Sequence, residues 1–204
     1  MRSLHQQRPQ ICVAFFADSQ FRPALARLPA LGPQPHIATH RATLSEAMWI
    51  FHCQHECQRD QCPHAMDLLQ QIHFRIRSNG SEQLEYIVAG NMPVLHYRRS
   101  QNDVVRLAME QFPLGLWPAA NYSSGHVTCA TGDVFAIFTD GLVETMDAWH
   151  QEFGLHRMER ILRESASGSL AEIYEAAIDA VARHGEQSDD RTLMLVRVLA
   201  LNWR

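Results

Sequence analysis

The chain has 204 residues, of which 46% are hydrophobic and 20% are charged, and its formal net charge is -4 at pH 7. This length and composition predict one main hydrophobic core. No run of Lys or Arg is long enough for a nucleic-acid-binding surface, so we expect no nucleic acid partner. The apolar stretches are far shorter than the roughly 18 residues of a membrane span, and the N-terminus lacks the apolar core of a signal peptide. We therefore expect a soluble, cytoplasmic protein without membrane association.

The first elements are predicted from short local patterns. The apolar run from Ile11 to Phe16 predicts a buried strand that ends beside Asp18. Helical spacing of apolar residues from Phe21 to Leu28 predicts a helix, which the Pro-rich segment 29–35 ends. A second helix is predicted to begin near Ser45.

Three of the five cysteines lie near histidines in the segment 52–64. Thiolate and imidazole are the ligands that zinc prefers, so the candidate zinc ligands are Cys53, Cys57, Cys62 and His64. Their spacing does not match a regular zinc motif. The alternative, which we favour, is that the helix beginning near Ser45 continues into this segment, with cysteine as a small buried apolar residue.

Alternating apolar and polar residues from Gln71 onward are typical of strands with one exposed face. Turn residues such as Asn79-Gly80 between these runs predict antiparallel hairpins. Two hairpins are expected: residues 72–76 with 84–88, and residues 94–97 with 104–107.

The apolar run from Val134 to Phe138 predicts a central strand that is covered on both faces. Apolar spacing over residues 155–162 predicts a helix, and Ser169 with Glu172 forms the capping box of a second helix. A last strand is predicted over 193–199. Strands followed by two helices and a returning strand predict an α+β fold of antiparallel sheet flanked by helices.

Two carboxylates are candidates for chemistry because each lies at the end of a predicted buried strand. Asp140 follows the strand that ends at Phe138, and Gly141 lets backbone approach whatever the carboxylate holds. Asp189 precedes the last strand. If these two strands are neighbours, both carboxylates lie at one edge of the sheet, where oxygen ligands suit Mg2+ or Mn2+. From the residues alone, both could equally be ordinary turn or cap residues.

An ordered set of five motifs resembles the SpoIIE class of PPM-type serine/threonine phosphatases. The motifs are Leu84–Gly90, Phe112–Gly115, Gly132–Glu144, Glu152–Gly154 and Ser188–Leu193. Each motif is weak alone, but their order and approximate separations are specific. The resemblance covers the chain from about Gln83 to Leu199. It implies a PPM/SpoIIE-like antiparallel β-sandwich flanked by helices, incomplete at the N-terminus.

The resemblance also implies an activity and a set of site residues. The activity is hydrolysis of phosphoserine or phosphothreonine in a protein by a metal-activated water, with two Mn2+ or Mg2+ ions and no covalent enzyme intermediate. By motif, Asp140, Asp189 and Asp18 are metal ligands, and Gly141 and Asp190 line the site. The usual substrate in this family is a phosphorylated anti-sigma factor antagonist, which implies a role in bacterial partner-switching signalling.

The N-terminal part departs from the family pattern. An early Gly-Asp motif has no counterpart here, and the Gly-rich turn expected after the metal-bridging Asp is replaced by the sequence that begins Ser19-Gln20-Phe21. Asp18 is therefore either the bridging ligand or the N-cap of the next helix. These departures leave open an alternative function, that of a catalytically inactive pseudophosphatase that binds a regulatory protein.

We divide the chain into two parts. Residues 66–204 are assigned to the SpoIIE-type phosphatase core, and residues 1–65 to a degenerate N-terminal part of the same domain. The alternative for residues 1–65 is a remnant of a receiver-like segment, because a strand-helix-strand-helix order also fits this stretch.

Overall fold

The structure is a computed structural model that describes residues 10–17, 38–43, 48–50, 71–76, 83–90, 92–112, 121–189 and 191–200. For the first four of these ranges, the description concerns the backbone alone. The helix predicted from Phe21 to Leu28 and the candidate zinc ligands Cys53, Cys57, Cys62 and His64 lie outside the described residues, so both stay predictions.

The described elements are ten strands and three helices. The strands are β1 (Gln10–Ala17), β2 (Ala38–Thr43), β3 (Met48–Ile50), β4 (Gln71–Ile76), β5 (Gln83–Ala89), β6 (Val94–Arg98), β7 (Asp103–Leu107), β8 (Gly125–Thr128), β9 (Val134–Phe138) and β10 (Thr192–Ala200). The helices are α1 (Asp140–Val143), α2 (Leu155–Ser165) and α3 (Leu170–His184).

The strands form two antiparallel sheets. The six-stranded sheet has the order β2-β1-β10-β9-β6-β7, and the four-stranded sheet has the order β3-β4-β5-β8. Pairing of β4 with β5 and of β6 with β7 confirms both predicted hairpins. The α+β class predicted from the order of elements is also confirmed.

Strand β9 lies in the middle of the core, as its continuous apolar sequence predicted. Each of its residues is at most 3% exposed. Val134, Ala136 and Phe138 pack with the buried side chains of the helices, whereas Phe135 and Ile137 pack with those of the four-stranded sheet. The six-stranded sheet is therefore covered by helices on one face and by the second sheet on the other.

Both long helices begin where the sequence predicted. Helix α3 starts with a capping box, in which the Ser169 Oγ accepts from the Glu172 N–H at 3.2 Å and the Glu172 carboxylate accepts from the Ser169 N–H. Its buried residues lie on one face: Leu170, Ile173, Ala177 and Val181. In the described part of the chain, no helix is long and apolar enough to cross a membrane.

The prediction of a helix beginning near Ser45 is wrong for Met48–Ile50. These residues form β3 and pair antiparallel with β4, with Trp49 opposite Phe74. Short apolar stretches do not distinguish strand from helix by their spacing, and pairing with a distant strand decides between them here. The remainder of that predicted helix lies outside the described residues.

Candidate active site

The candidate site lies at one edge of the six-stranded sheet, where β9 ends and β10 begins. Phe138 pairs with Leu193, so the two strands are the neighbours on which the sequence argument depended. Two further hydrogen bonds continue the pairing past the strand end. The Thr139 N–H donates to the Thr192 carbonyl at 3.1 Å, and the Thr192 N–H donates to the Thr139 Oγ1 at 3.0 Å. The end of β9 and the start of β10 are thus held together by buried polar contacts.

Asp140 begins the short helix α1 directly after Thr139. Its Oδ1 accepts from the Gly141 N–H at 3.0 Å, and its carbonyl accepts from the Glu144 N–H at 2.8 Å. Asp140 is partly exposed, whereas Gly141 is buried. Asp189 is also partly exposed and lies three residues before Thr192. The register of β9 and β10 therefore brings Asp140 and Asp189 to the same edge.

Glu144 belongs to the same acidic neighbourhood. Desolvation, followed by the negative charges of Asp140, Glu152 and Asp189, raises the pKa of Glu144 above its ordinary value. Acidic groups in such proximity repel one another unless a proton or a cation lies among them. Sequence reasoning did not assign a role to Glu144, although its position four residues after Asp140 was an available signal.

A chain of hydrogen bonds joins the two loops of the edge. The Arg191 Nη2 donates to the Thr145 Oγ1 at 3.0 Å and to the Gly185 carbonyl at 3.4 Å. The Thr145 Oγ1 in turn donates to the Gly141 carbonyl at 2.8 Å. Arg191 therefore ties the segment of Asp189 to the segment of Asp140. This contact could not be predicted from the sequence, because nothing in local spacing shows that Arg191 and Thr145 meet.

Comparison with known proteins identifies the family to which the chain belongs. The family model described as stage II sporulation protein E (SpoIIE) matches residues 66–199, which is more than half of the chain. The chain belongs to the SpoIIE family. It is thereby homologous to PP2C-type serine/threonine phosphatases, which are metal-dependent hydrolases. The resemblance inferred from the five motifs is confirmed.

Solved structures agree with the SpoIIE fold. The SiaA-PP2C domain of Pseudomonas aeruginosa is 22% identical with a TM-score of 0.56, over 68% of this chain and 55% of that chain. The RsbU and RsbW domains of a Mycobacterium tuberculosis protein are 13% identical with a TM-score of 0.59, over 96% and 62%. The phosphatase domain of SpoIIE from Bacillus subtilis is 12% identical with a TM-score of 0.52, over 99% and 98%.

These identities establish the fold alone. The match with the SiaA domain spans about half of that domain's length. No curated protein matches the chain.

At this edge of the six-stranded sheet, Asp140 and Asp189 offer carboxylate oxygens. Such oxygens are the ligands that hard divalent cations such as Mg2+ prefer. Among the residues that the structure describes, however, no three or more His, Cys, Asp or Glu side chains are grouped so that they could hold a metal ion. The predicted ligand Asp18 and the predicted lining residue Asp190 lie outside the described residues. Strand β1 ends at Ala17, opposite Thr192, and so reaches the same edge.

The other end of β9 holds a buried polar pair that the sequence analysis did not find. The Asp133 Oδ2 lies 2.9 Å from the His96 Nε2, and both residues are at most 2% exposed. The Asp133 carboxylate also accepts from the N–H groups of Arg99 and Ala130, each at 2.9 Å. The His96 ring stacks on Phe135 at 4.3 Å between centroids.

The pKa of Asp133 reflects these contacts. Burial raises it, but the hydrogen bonds from His96 and from the backbone of Ala130 and Arg99 outweigh burial, and the pKa lies below its ordinary value. With its oxygens engaged by three donors inside the core, Asp133 has a structural role.

Proposed function

We propose that this chain is a metal-dependent phosphatase for phosphoserine and phosphothreonine in proteins and that it acts in bacterial signalling. The observation that supports this most is the register of β9 and β10, which brings Asp140 and Asp189 to one edge in a chain of the SpoIIE family.

In this proposal Asp140 and Asp189 hold two Mn2+ or Mg2+ ions together with Asp18, which follows Ala17 at the end of β1. Gly141 and Asp190 line the site. When bound, the ions lower the pKa of a water molecule and neutralise charge on the transferred phosphoryl group. The acidic edge repels a phosphate monoester by itself, so substrate binding and hydrolysis should both require the metal.

Hydrogen bonds between residues of the chain fix the positions of the strand ends and loops that form the site. The hydrogen bonds between Thr139 and Thr192 hold the ends of β9 and β10 at a constant separation. Arg191, through Thr145, holds the loop after Asp140 against the loop that contains Asp189. Positioning of this kind accounts for a large part of catalysis when the chemistry depends on orientation and charge.

We infer that the substrate is a phosphorylated regulatory protein such as an anti-sigma factor antagonist, as the family resemblance implies. We also assign residues 1–65 to the phosphatase domain and not to a receiver-like segment. The antiparallel pairing of β1 with both β2 and β10 supports this assignment, because β1 thereby belongs to the same sheet as β9.

The test is hydrolysis of p-nitrophenyl phosphate and of a phosphoserine peptide by the purified full chain, with Mn2+, with Mg2+ and with EDTA. The Asp140→Asn, Asp189→Asn and Asp18→Asn variants are assayed beside the wild type. Each is expected to lose about 100-fold or more in kcat/KM, since even residues that only support metal ligands contribute about 10- to 100-fold.

Asp103→Asn is the matched control. Asp103 begins β7 opposite Arg98, at the far end of the sheet from Asp140, and the variant should keep wild-type activity. A folded wild-type protein without activity in Mn2+ or Mg2+ would contradict the phosphatase and favour the pseudophosphatase. Activity that survives Asp18→Asn would assign Asp18 to the helix cap instead.

A further inference from the structure

The segment that follows α1 presents a large aromatic side chain to solvent. Trp149 is 78% exposed, and Met146 on the same segment is 45% exposed. Large apolar side chains that are exposed together on a soluble domain mark sites of interaction more often than chance. Residues 145–153, called here the tryptophan hairpin, are joined by a β-bridge between Met146 and Glu152.

The exposure of Trp149 comes from a well-defined hairpin. The Asp147 Oδ1 accepts from the N–H of Trp149 at 2.8 Å and from the N–H of Gln151 at 2.9 Å. The Asp147 N–H donates to the Gln151 carbonyl at 3.0 Å, and the His150 N–H donates to the Asp147 carbonyl at 3.0 Å. An aromatic side chain on such a preorganised turn loses little conformational entropy when a partner covers it.

The hairpin is also anchored at its base. The Phe153 N–H donates to the Thr145 carbonyl at 2.9 Å, and the His184 Nε2 lies 2.9 Å from the Gln151 carbonyl. Gly185 approaches the Met146 carbonyl so closely that a Cβ there would collide with it. The tryptophan hairpin is therefore packed on the end of α3.

The base of the tryptophan hairpin is continuous with the candidate active site. Thr145, its first residue, donates to the Gly141 carbonyl and accepts from Arg191. A segment of a partner protein bound at the acidic edge would thus reach the base of the hairpin that carries Trp149. The exposed residues around this base include three carboxylates: Glu144, Glu152 and Glu186.

We propose that the tryptophan hairpin is a docking surface for the phosphoprotein substrate, with Trp149 covering an apolar side chain near the phosphorylated residue. This proposal rests on the proposed function. The three carboxylates favour a substrate segment with basic residues beside that apolar side chain. Exposed tryptophans that become buried at an interface are among the residues with the largest effects on affinity.

The test separates docking from chemistry by comparing a substrate that reaches Trp149 with one that does not. The probes are p-nitrophenyl phosphate and two fluorescein-labelled phosphoserine peptides of equal length. One peptide has leucine flanked by arginines near the phosphoserine, and the other has alanine and glutamine in those positions. The proteins are the wild type, Trp149→Ala and Trp149→Phe, the last as a matched control that keeps an aromatic ring.

Trp149→Ala should lower kcat/KM for the leucine-arginine peptide about 10-fold through KM, with p-nitrophenyl phosphate hydrolysis unchanged. Trp149→Phe should recover most of the loss, and the alanine-glutamine peptide should be a poor substrate of all three proteins. Equal kcat/KM values of wild type and Trp149→Ala for the leucine-arginine peptide would overturn the proposal. An equal loss on both kinds of substrate would also overturn it, because it would indicate a structural effect.

Two further outcomes distinguish the docking surface from the proposed function. If no protein hydrolyses p-nitrophenyl phosphate in Mn2+, the phosphatase proposal fails, and peptide binding by fluorescence anisotropy decides about docking. Weaker binding by Trp149→Ala would then support the surface, and unchanged binding would overturn it. Self-association of the wild type that Trp149→Ala abolishes, without an effect on the peptides, would assign the hairpin to a second copy of the chain.

Discussion

Two aspartates at opposite ends of β9 show how their surroundings decide what a carboxylate does. Asp133 precedes the strand, is 2% exposed and accepts from a histidine and two backbone N–H groups. Asp140 follows the strand two residues after Phe138, is partly exposed and lies in an acidic neighbourhood. An aspartate thus makes buried hydrogen bonds at one end of the strand, whereas the aspartate at the other end is the one that we propose as a metal ligand.

The difference lies in which groups meet each carboxylate. Around Asp133, three hydrogen-bond donors meet the carboxylate and stabilise its charged form inside the protein. Around Asp140 the neighbours include the carboxylate of Glu144, whose pKa is raised in part by the charges of Asp140 and Asp189. Removal of one partner from a buried, hydrogen-bonded carboxylate pair is strongly destabilising, whereas a carboxylate among like charges is the better candidate for function.

Among the changes that test this difference between the two aspartates, Asp133→Ala is expected to have the largest effect, which is on the free energy of unfolding. The change leaves His96 and the N–H groups of Arg99 and Ala130 without their acceptor in the core, at a cost of about 3 kcal/mol or more in the free energy of unfolding. Urea unfolding followed by circular dichroism measures it. Asp103→Ala, which removes the partly exposed partner of Arg98 near the same turn, is the control and should change little. Equal effects of the two changes would contradict the structural role of Asp133.

Arg191→Ala tests the hydrogen-bonded link at the Asp140 end. The variant loses the contacts to Thr145 and Gly185, so both loops should become more mobile. We expect kcat/KM for p-nitrophenyl phosphate to fall about 10-fold, since a displacement of catalytic groups by about 1 Å can lower the rate by even more. Thr145→Val removes the hydroxyl that Arg191 contacts and should reproduce part of this loss. Full activity in both variants would show that the link does not position the site.

Ser169→Ala tests whether the protein can be destabilised at a position away from both ends of β9 without a change in its activity. Removing the cap of α3 should lower the free energy of unfolding by about 1 kcal/mol and leave hydrolysis unchanged. Ser169→Asp, which keeps an N-capping oxygen, should retain most of the stability. A fall in kcat/KM beyond that of the folded fraction would indicate that α3 is coupled to the site.

The smallest effect is a pH dependence of stability caused by Asp133. Its pKa in the folded protein lies below the ordinary value of 3.8, so the stability that it contributes is fully present above that value. This contribution decreases as the pH falls through 3.8 towards the lower pKa of the folded state. The difference in unfolding free energy between wild type and Asp133→Asn should therefore shrink from pH 6 to pH 3. A difference that grows on acidification would contradict the lowered pKa.

Much of the fold could be predicted from the sequence because it follows from local patterns. The hairpins, the central strand β9 and the capping box of α3 each depend on residues close together in the chain. The short strands β3 and β8 could not be predicted in the same way, since neither contains enough residues for a clear alternation. The pairing of β9 with β10 could not be predicted from the sequence, so the placement of Asp140 near Asp189 depended on the assumption that these strands are neighbours.

Candidate site residues could be named from the family motifs, whereas contacts between residues far apart in the chain could not be predicted. Asp140 and Asp189 follow from the family motifs, and the register places them at one edge. The pair of His96 with Asp133 joins residues 37 positions apart, and nothing in either local sequence indicates it. The sequence Thr131-Gly132-Asp133 is typical of a turn, and Gly132 has the positive φ of 93° that glycine tolerates, but a turn sequence does not indicate the contact with His96.

The most direct test of the account assays Asp140→Asn and Asp133→Asn side by side, for unfolding and for Mn2+-dependent hydrolysis of p-nitrophenyl phosphate. We expect Asp140→Asn to unfold like the wild type and to lose about 100-fold or more of the activity. Asp133→Asn should be less stable than the wild type but should hydrolyse the substrate normally at a temperature where it is folded. Mn2+-dependent activity that survives in Asp140→Asn, or its loss in folded Asp133→Asn, would contradict the assignment of function to one end of β9 and stability to the other.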